Sequence, residues 1–283
     1  MPFQIKRHEQ VSLAVHRVVR QQIDRARREA TKKRAPLDER IHAVRSRIKR
    51  ARAALALTSA TAGRRAARLD DHLRTLGRRL AHARDEEVTR AMLRDLVRET
   101  PLRAPPLLPP ADKGRRALRA AIVDLEHLSS ELERCRPRGD GRAARRAFAR
   151  TFRRARQLRS DLGPRATAER FHRWRKVVKR LALQLRLLRG AAPELERALD
   201  APLRRLVDLL GEIHDLSLLR TRLGTKKGRN RSSPDVPAVL ERLDEHDGRA
   251  RADALDLGAR VLAPRTRAVK TWLGEGWHAW RGK

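Results

Sequence analysis

Two stretches of this chain match each other without a gap when residue 39 is laid over residue 169, an offset of 130. Glu39–Leu57 (ERIHAVRSRIKRARAALAL) and Glu169–Leu187 (ERFHRWRKVVKRLALQLRL) share 8 of 19 positions, and Leu69–Asp85 shares 7 of 17 with Leu199–Asp215. A bias towards Arg and Leu inflates such counts. It does not bring His42 onto His172 and Asp85 onto Asp215 at one offset. Self-similarity of this length marks a duplicated supersecondary unit whose copies bury their apolar faces together. The chain reads as a duplication, so its fold must suit both halves.

The residue types that are missing decide what that unit is built from. There is no Tyr, there are only four Phe and four Trp, and β-branched residues are sparse. Sheet faces need those side chains. The apolar residues, 40% of the chain and mostly Leu, Ala and Val, are enough for a core made of helices. The expected fold is all-α, a duplicated antiparallel helical bundle with an internal pseudo-two-fold repeat.

Breakers place the helices at about His8–Ala30, Leu37–Leu57 and Arg64–Ala83, with a fourth starting after Asp85 and ending near Pro101. Pro105, Pro106, Pro109 and Pro110 form a cluster that no helix interior accommodates, the natural hinge between halves. Further helices are expected at Asp112–Cys135, Arg142–Asp161, Ala166–Arg189, Glu194–Glu212, from after Asp215 to Leu223, Ala238–Leu262 and Arg265–Trp280, with Thr225–Pro237 as a mobile loop. Asp85 and Asp215 read as N-caps, and His214-Asp215 alone is too weak a signal for a metal hydrolase. The organisation expected is one domain over 1–283, with a first repeat over 1–104, a hinge and linking helix over 105–135 and a second repeat over 136–283.

Charge sets the chemistry. Lys plus Arg number 69 against 34 Asp plus Glu, a formal net charge of +35. A surplus of this size concentrates anions around the molecule and makes the compact state repel itself. The guanidinium fork takes phosphate oxygens two at a time, which a Lys ammonium cannot do. Cys135 is the single cysteine, so no intrachain disulfide forms and a reducing cytoplasm is the default compartment. The opening MPFQIKRHEQ lacks an apolar core, and no window approaches 18 uncharged apolar residues, so neither a signal peptide nor a membrane span is expected. The scattered His and lone Cys offer no zinc spacing.

On a helical wheel, Ile41, Val44, Ile48, Ala51 and Leu55 share one side of the first matched helix, as Phe171, Trp174, Val178, Leu181 and Leu185 do in the second. Beside those core faces runs a narrow cationic stripe, His42, Arg45, Lys49 and Arg52 in one copy and His172, Arg175, Lys179 and Arg186 in the other. A cation at the margin of a core has its stem held by packing, so its head is positioned before any ligand arrives. The bland reading is a solvated edge paired with carboxylates of neighbouring helices. The doubled His-x-x-Arg-x-x-x-Lys pattern favours an anion site. The two His could bond a ligand or cap a neighbouring helix; no nucleophile or carboxylate recurs beside them at helical spacing, so no catalytic residue is assigned. Arg142, Arg146, Arg153 and Arg156 share one half of their wheel, opposite Ala144, Phe148 and Leu158, while His16, Arg17 and Arg20 read as a solvated face.

Glu169-Arg170-Phe171-His172, continuing WRKVVKRLALQLRLL to Leu188, and LGEIHDLSLL at Leu210–Leu219 resemble the CHAD (conserved histidine α-helical domain) family. So do Ile41–Leu55, LGRRLAHARDEEV at Leu76–Val88, RTFRRAR at Arg150–Arg156 and the closing WLGEGWHAW. The resemblance covers nearly the whole chain. It implies a duplicated helical bundle that binds inorganic polyphosphate at a basic groove or pore without hydrolysing it, on polyphosphate granules or free in the cytoplasm. The phosphate contacts it implies are His42, Arg45, Lys49, His172, Arg175 and Lys179; the expected set is completed by Arg52 and Arg186 of the stripe and by Arg50, Arg150, Arg153 and Lys176. No cofactor or metal is expected. The triphosphate tunnel enzyme fused to many relatives is not expected here, because no Glu-x-Glu-x-Lys motif or run of strands occurs. The rival reading is a nucleic-acid binder, which the charge permits. It lacks the exposed aromatic platforms of single-strand binding and any visible recognition unit for a duplex.

Overall fold

Leu, Ala and Val recurring at three- and four-residue spacings give amphipathic helices, and helices are what form. The computed structural model describes residues 3–61, 63–99, 112–135, 138–224 and 235–282. Its α-helices are α1 (Val11–Thr31), α2 (Leu37–Thr58), α3 (Gly63–Glu99), α4 (Asp112–Glu133), α5 (Gly141–Ser160), α6 (Ala168–Leu188), α7 (Pro193–Gly224), α8 (Asp235–Val261) and α9 (Thr266–Gly282), with a 3₁₀ turn at Arg189–Ala191. No strand occurs among the described residues. The all-α expectation holds. The starts of α1 and α5, α2 and α6, and α3 and α7 stand 130, 131 and 130 residues apart. The proline cluster and most of the expected loop, residues 225–234, lie outside the described residues.

Two expected breaks are absent. α3 runs through Asp85 and α7 through Asp215, so neither aspartate caps a helix. The reason is visible on α7, where Leu206, Leu209, Ile213, Leu216, Leu219 and Leu223 are all buried. That apolar stripe passes Asp215 without interruption, and its burial outweighs the local preference of one Asp for a cap. The end of the expected loop is also helical: Asp235–Pro237 open α8, where a first-turn proline forfeits no helical hydrogen bond. Elsewhere local chemistry sets the ends. The Asp140 carboxylate accepts from the Ala143 N–H at 2.8 Å to start α5, and the Thr167 hydroxyl accepts from the Arg170 N–H at 3.4 Å to start α6.

In one half α1 packs on α2 and α4, while α3 packs on α2 and α4. Thus α4, expected as a linking helix, lies against α1 and α3. In the other half α5 packs on α6, α6 on α7 and α7 on α8. The halves meet where α2 crosses α5 and α6 and where α3 meets α7; α9 closes over α5 and α7. One apolar core joins them, from Ile5 through Trp174 to Trp277, with a small satellite of Leu219, Leu223 and Val239. The ten residues expected on the core faces of α2 and α6 are all buried, at most 3% exposed. No described helix is long and apolar enough to cross a membrane.

Candidate functional site

The helices α2 and α6 pack against each other, and cations of both act on one side chain, His172. Each cationic margin is anchored by a long helix behind it. Arg45 of α2, half-buried, donates from Nη1 to the Gly77 carbonyl of α3 at 3.0 Å. Arg175 of α6, also half-buried, lies along Gly211 of α7, where even a β-carbon would stand 3.8 Å from its guanidinium. The heads are thus held by backbone and packing before any ligand arrives.

His172 reports where those heads converge. Its ring is half-buried, its Nδ1 makes no hydrogen bond, and it stacks on His214 of α7 with ring centroids 4.5 Å apart. Burial first, then the positive charges of Lys176, Arg175, Lys49 and Arg45, push its pKa down from 6.5 to about 4. Two of those charges sit on α2 and two on α6. Cations of the two sequence copies therefore surround one imidazole, which stays neutral at neutral pH. Lys179 is half-buried on α6, and His42 is exposed on α2.

The other expected contacts go elsewhere. Arg52 holds Asp70 with two hydrogen bonds of 2.9 and 3.0 Å, and Arg186 reaches Asp200 at 3.4 Å. Asp70 and Asp200 are themselves equivalent positions, so these two arginines are neutralised by the same carboxylate of each copy. Arg50 packs over the Phe3 ring at 5.7 Å, and burial, then Arg47, lowers its pKa. Arg150 faces a separate cleft with Arg154 and Arg180. Arg153, like Arg142, Arg146 and Arg156, is exposed along α5. The solvated face expected of α1 proves to be paired: Arg17 with Glu9, Arg20 with Glu133, and the His16 ring with the Leu132 carbonyl at 3.2 Å. Among the described residues no group of three or more His, Cys, Asp or Glu is placed to hold a metal ion.

His214 is the site residue that sequence reasoning set aside. The available signal was that a basic side chain, Arg84, holds the matching position in the first copy.

A family model described as the CHAD domain matches residues 17–224. Among solved structures, the crystal structure of the CHAD domain from the plant Ricinus communis is similar, at a TM-score of 0.61 and 19% identity over 96% of this chain and 94% of that one. At that identity the likeness is one of fold. No curated protein matches.

Proposed function

This chain belongs to the CHAD family, and from that premise we propose that it binds inorganic polyphosphate, without hydrolysing it, at the cluster of Arg45, Lys49, His172, Arg175 and Lys176. The observation that carries the reading is the convergence of two α2 cations and two α6 cations on His172. Polyphosphate is a flexible run of phosphoryl groups with no base to read and no groove to enter. A preformed set of guanidinium and ammonium heads suits it, because each contact is a charge-assisted hydrogen bond formed with little reorganisation. A histidine with a pKa of about 4 is a poor general base at neutral pH, which favours binding over hydrolysis. Phe171 and Trp174, the aromatic side chains on α6, are 2% and 0% exposed, so they offer no stacking platform to a nucleic acid. Association with polyphosphate granules in the cytoplasm belongs to the same reading.

A competition titration tests it. Long-chain polyphosphate should displace single- and double-stranded DNA from the protein at equal phosphate and 0.15 M salt, and failure to do so would make nucleic acid the ligand. Replacing Lys49 and Lys179 by Glu together should abolish polyphosphate binding with helicity unchanged; retained affinity would place the site on another face.

A further inference from the structure

A second concentration of arginine lies away from the imidazole pair, in a cleft of about 200 Å³ between the C-terminal end of α2, α5 and α6. Arg150, Arg154 and Arg180 line it with the hydroxyl residues Ser59 and Thr151, over the small side chains of Ala56 and Ala147. None of these three arginines is among the charges that reach His172, and none has a carboxylate within ion-pair distance in the described structure. The Arg180 side chain is exposed; partial desolvation, then nearby Arg52, lowers its pKa, with Asp70, already held by Arg52, opposing.

The other half of the molecule supplies the comparison. At the offset of 130, the cleft residues Arg150, Thr151, Arg154, Val177 and Arg180 correspond to Arg20, Gln21, Asp24, Arg47 and Arg50. There two of the three arginines are already paired with carboxylates. Arg20 pairs with Glu133, Arg47 pairs with Glu29 at 3.2 Å, and Arg154 is replaced by an aspartate. The chain's own N-terminal residues cover that region: Phe3 sits against Arg50, Gln4 accepts from Arg17 and Arg189, and the Ile5 N–H donates to the Leu187 carbonyl. One copy is covered by the chain's own N-terminal residues and partly neutralised from within. Its counterpart keeps three guanidinium groups around an open cleft.

We propose that this cleft is a second anion site, separate from the polyphosphate cluster, and that it takes a short phosphate-class oxyanion of the size of orthophosphate or pyrophosphate. The guanidinium groups supply paired donors for phosphoryl oxygens; the Ser59 and Thr151 hydroxyls each donate to a helix carbonyl, of Ala56 and Ala147, at 3.1 Å and add no donor. The volume sets the size, being smaller than the roughly 300–1,000 Å³ of sites that enclose drug-sized ligands.

Calorimetric titration of the full chain with pyrophosphate at 0.15 M salt is the test. Wild type should bind, and Arg154→Gln and Arg180→Gln should each weaken binding by about tenfold or more, the loss expected for one charge-assisted contact. The Lys49→Glu/Lys179→Glu protein should keep its pyrophosphate affinity while losing long-chain polyphosphate. Arg154 is exposed at the helix surface, so its variant folds as wild type by circular dichroism. No pyrophosphate binding by wild type, unchanged affinity in both arginine variants, or loss of pyrophosphate in the double lysine variant would each overturn the proposal. None of these results bears on whether the α2–α6 cluster binds the long polymer, which the lysine variant's response to polyphosphate decides.

Discussion

His172, packed beside His214, resists protonation because burial and then the charges of Lys176, Arg175, Lys49 and Arg45 all act against a further positive charge there. In the unfolded chain those causes vanish and the ring titrates near 6.5. Between about pH 6.5 and 4 the unfolded state therefore binds more protons at this residue than the folded state does, and stability rises with pH across that window. The contribution is complete above pH 6.5 and is lost as the solution is acidified towards 4, roughly 3 kcal/mol across the window. In urea titrations wild type should lose more stability between pH 7 and pH 5 than His172→Gln does. Equal losses would mean that the ring is not held neutral. Bound polyphosphate would cancel the surrounding charges, so the complex should take up protons in the same window. Single residues were only partly legible in the sequence at this scale. The stripe marked Arg45, Lys49, His172 and Arg175 through their spacing from the core face. It could not separate them from Arg52 and Arg186, whose partners Asp70 and Asp200 come from other helices. His214 reaches the site on α7, and no local pattern joins it to His172.

Between elements, α8 comes close to α6 at one point. A β-carbon at Gly258 would stand 2.5 Å from the Trp174 ring, which is fully buried, whereas nothing lies within 4 Å of one at Gly248 on the same helix. The two glycines therefore predict opposite outcomes for one substitution. Alanine at 248 removes backbone freedom from the unfolded chain and should stabilise by up to about 1 kcal/mol. Alanine at 258 gains the same term, but overpacks the ring and should destabilise by about 1–2 kcal/mol net. Equilibrium denaturation of the two variants checks the pair, and a stabilised Gly258→Ala would show that α6 and α8 are not in contact through Trp174. Helix identity was readable because apolar residues at three- and four-residue spacing dominate the sequence; the faces of α2 and α6 are buried as the wheel places them. Asp85 and Asp215 misled because a cap preference is a local signal, while the stripe continuing through Leu216 and Leu219 is decided by packing against other helices. The arginine cleft was invisible for a related reason: Ser59 just past α2, Arg150 of α5 and Arg180 of α6 share no spacing.

For the molecule as a whole, a formal charge of +35 means that salt acts in two opposite directions. Without a polyanion, the folded state holds like charges closer together than the unfolded chain does, so shortening the Debye length from about 30 Å at 0.01 M to about 10 Å at 0.1 M should raise the melting temperature. Binding responds the other way, because each cation that neutralises a phosphoryl group releases a counterion and the gain shrinks as salt rises. If Arg45, Lys49, Arg175 and Lys176 each take one phosphoryl group, the slope of log K against log salt should be roughly −3 by the single-strand coefficient. Arg45→Gln, which removes one of the four, should make that slope shallower by about 0.7. The two responses meet in a melting experiment. Long polyphosphate should raise the melting temperature steeply at low salt, where the free protein is weakest and the complex strongest, and the increment should fall as salt is added. A basic bundle that met polyanions only diffusely would show the same direction of change, but its slope would not register the loss of one side chain. The change of slope in Arg45→Gln is therefore the measurement that separates a built site from bulk charge.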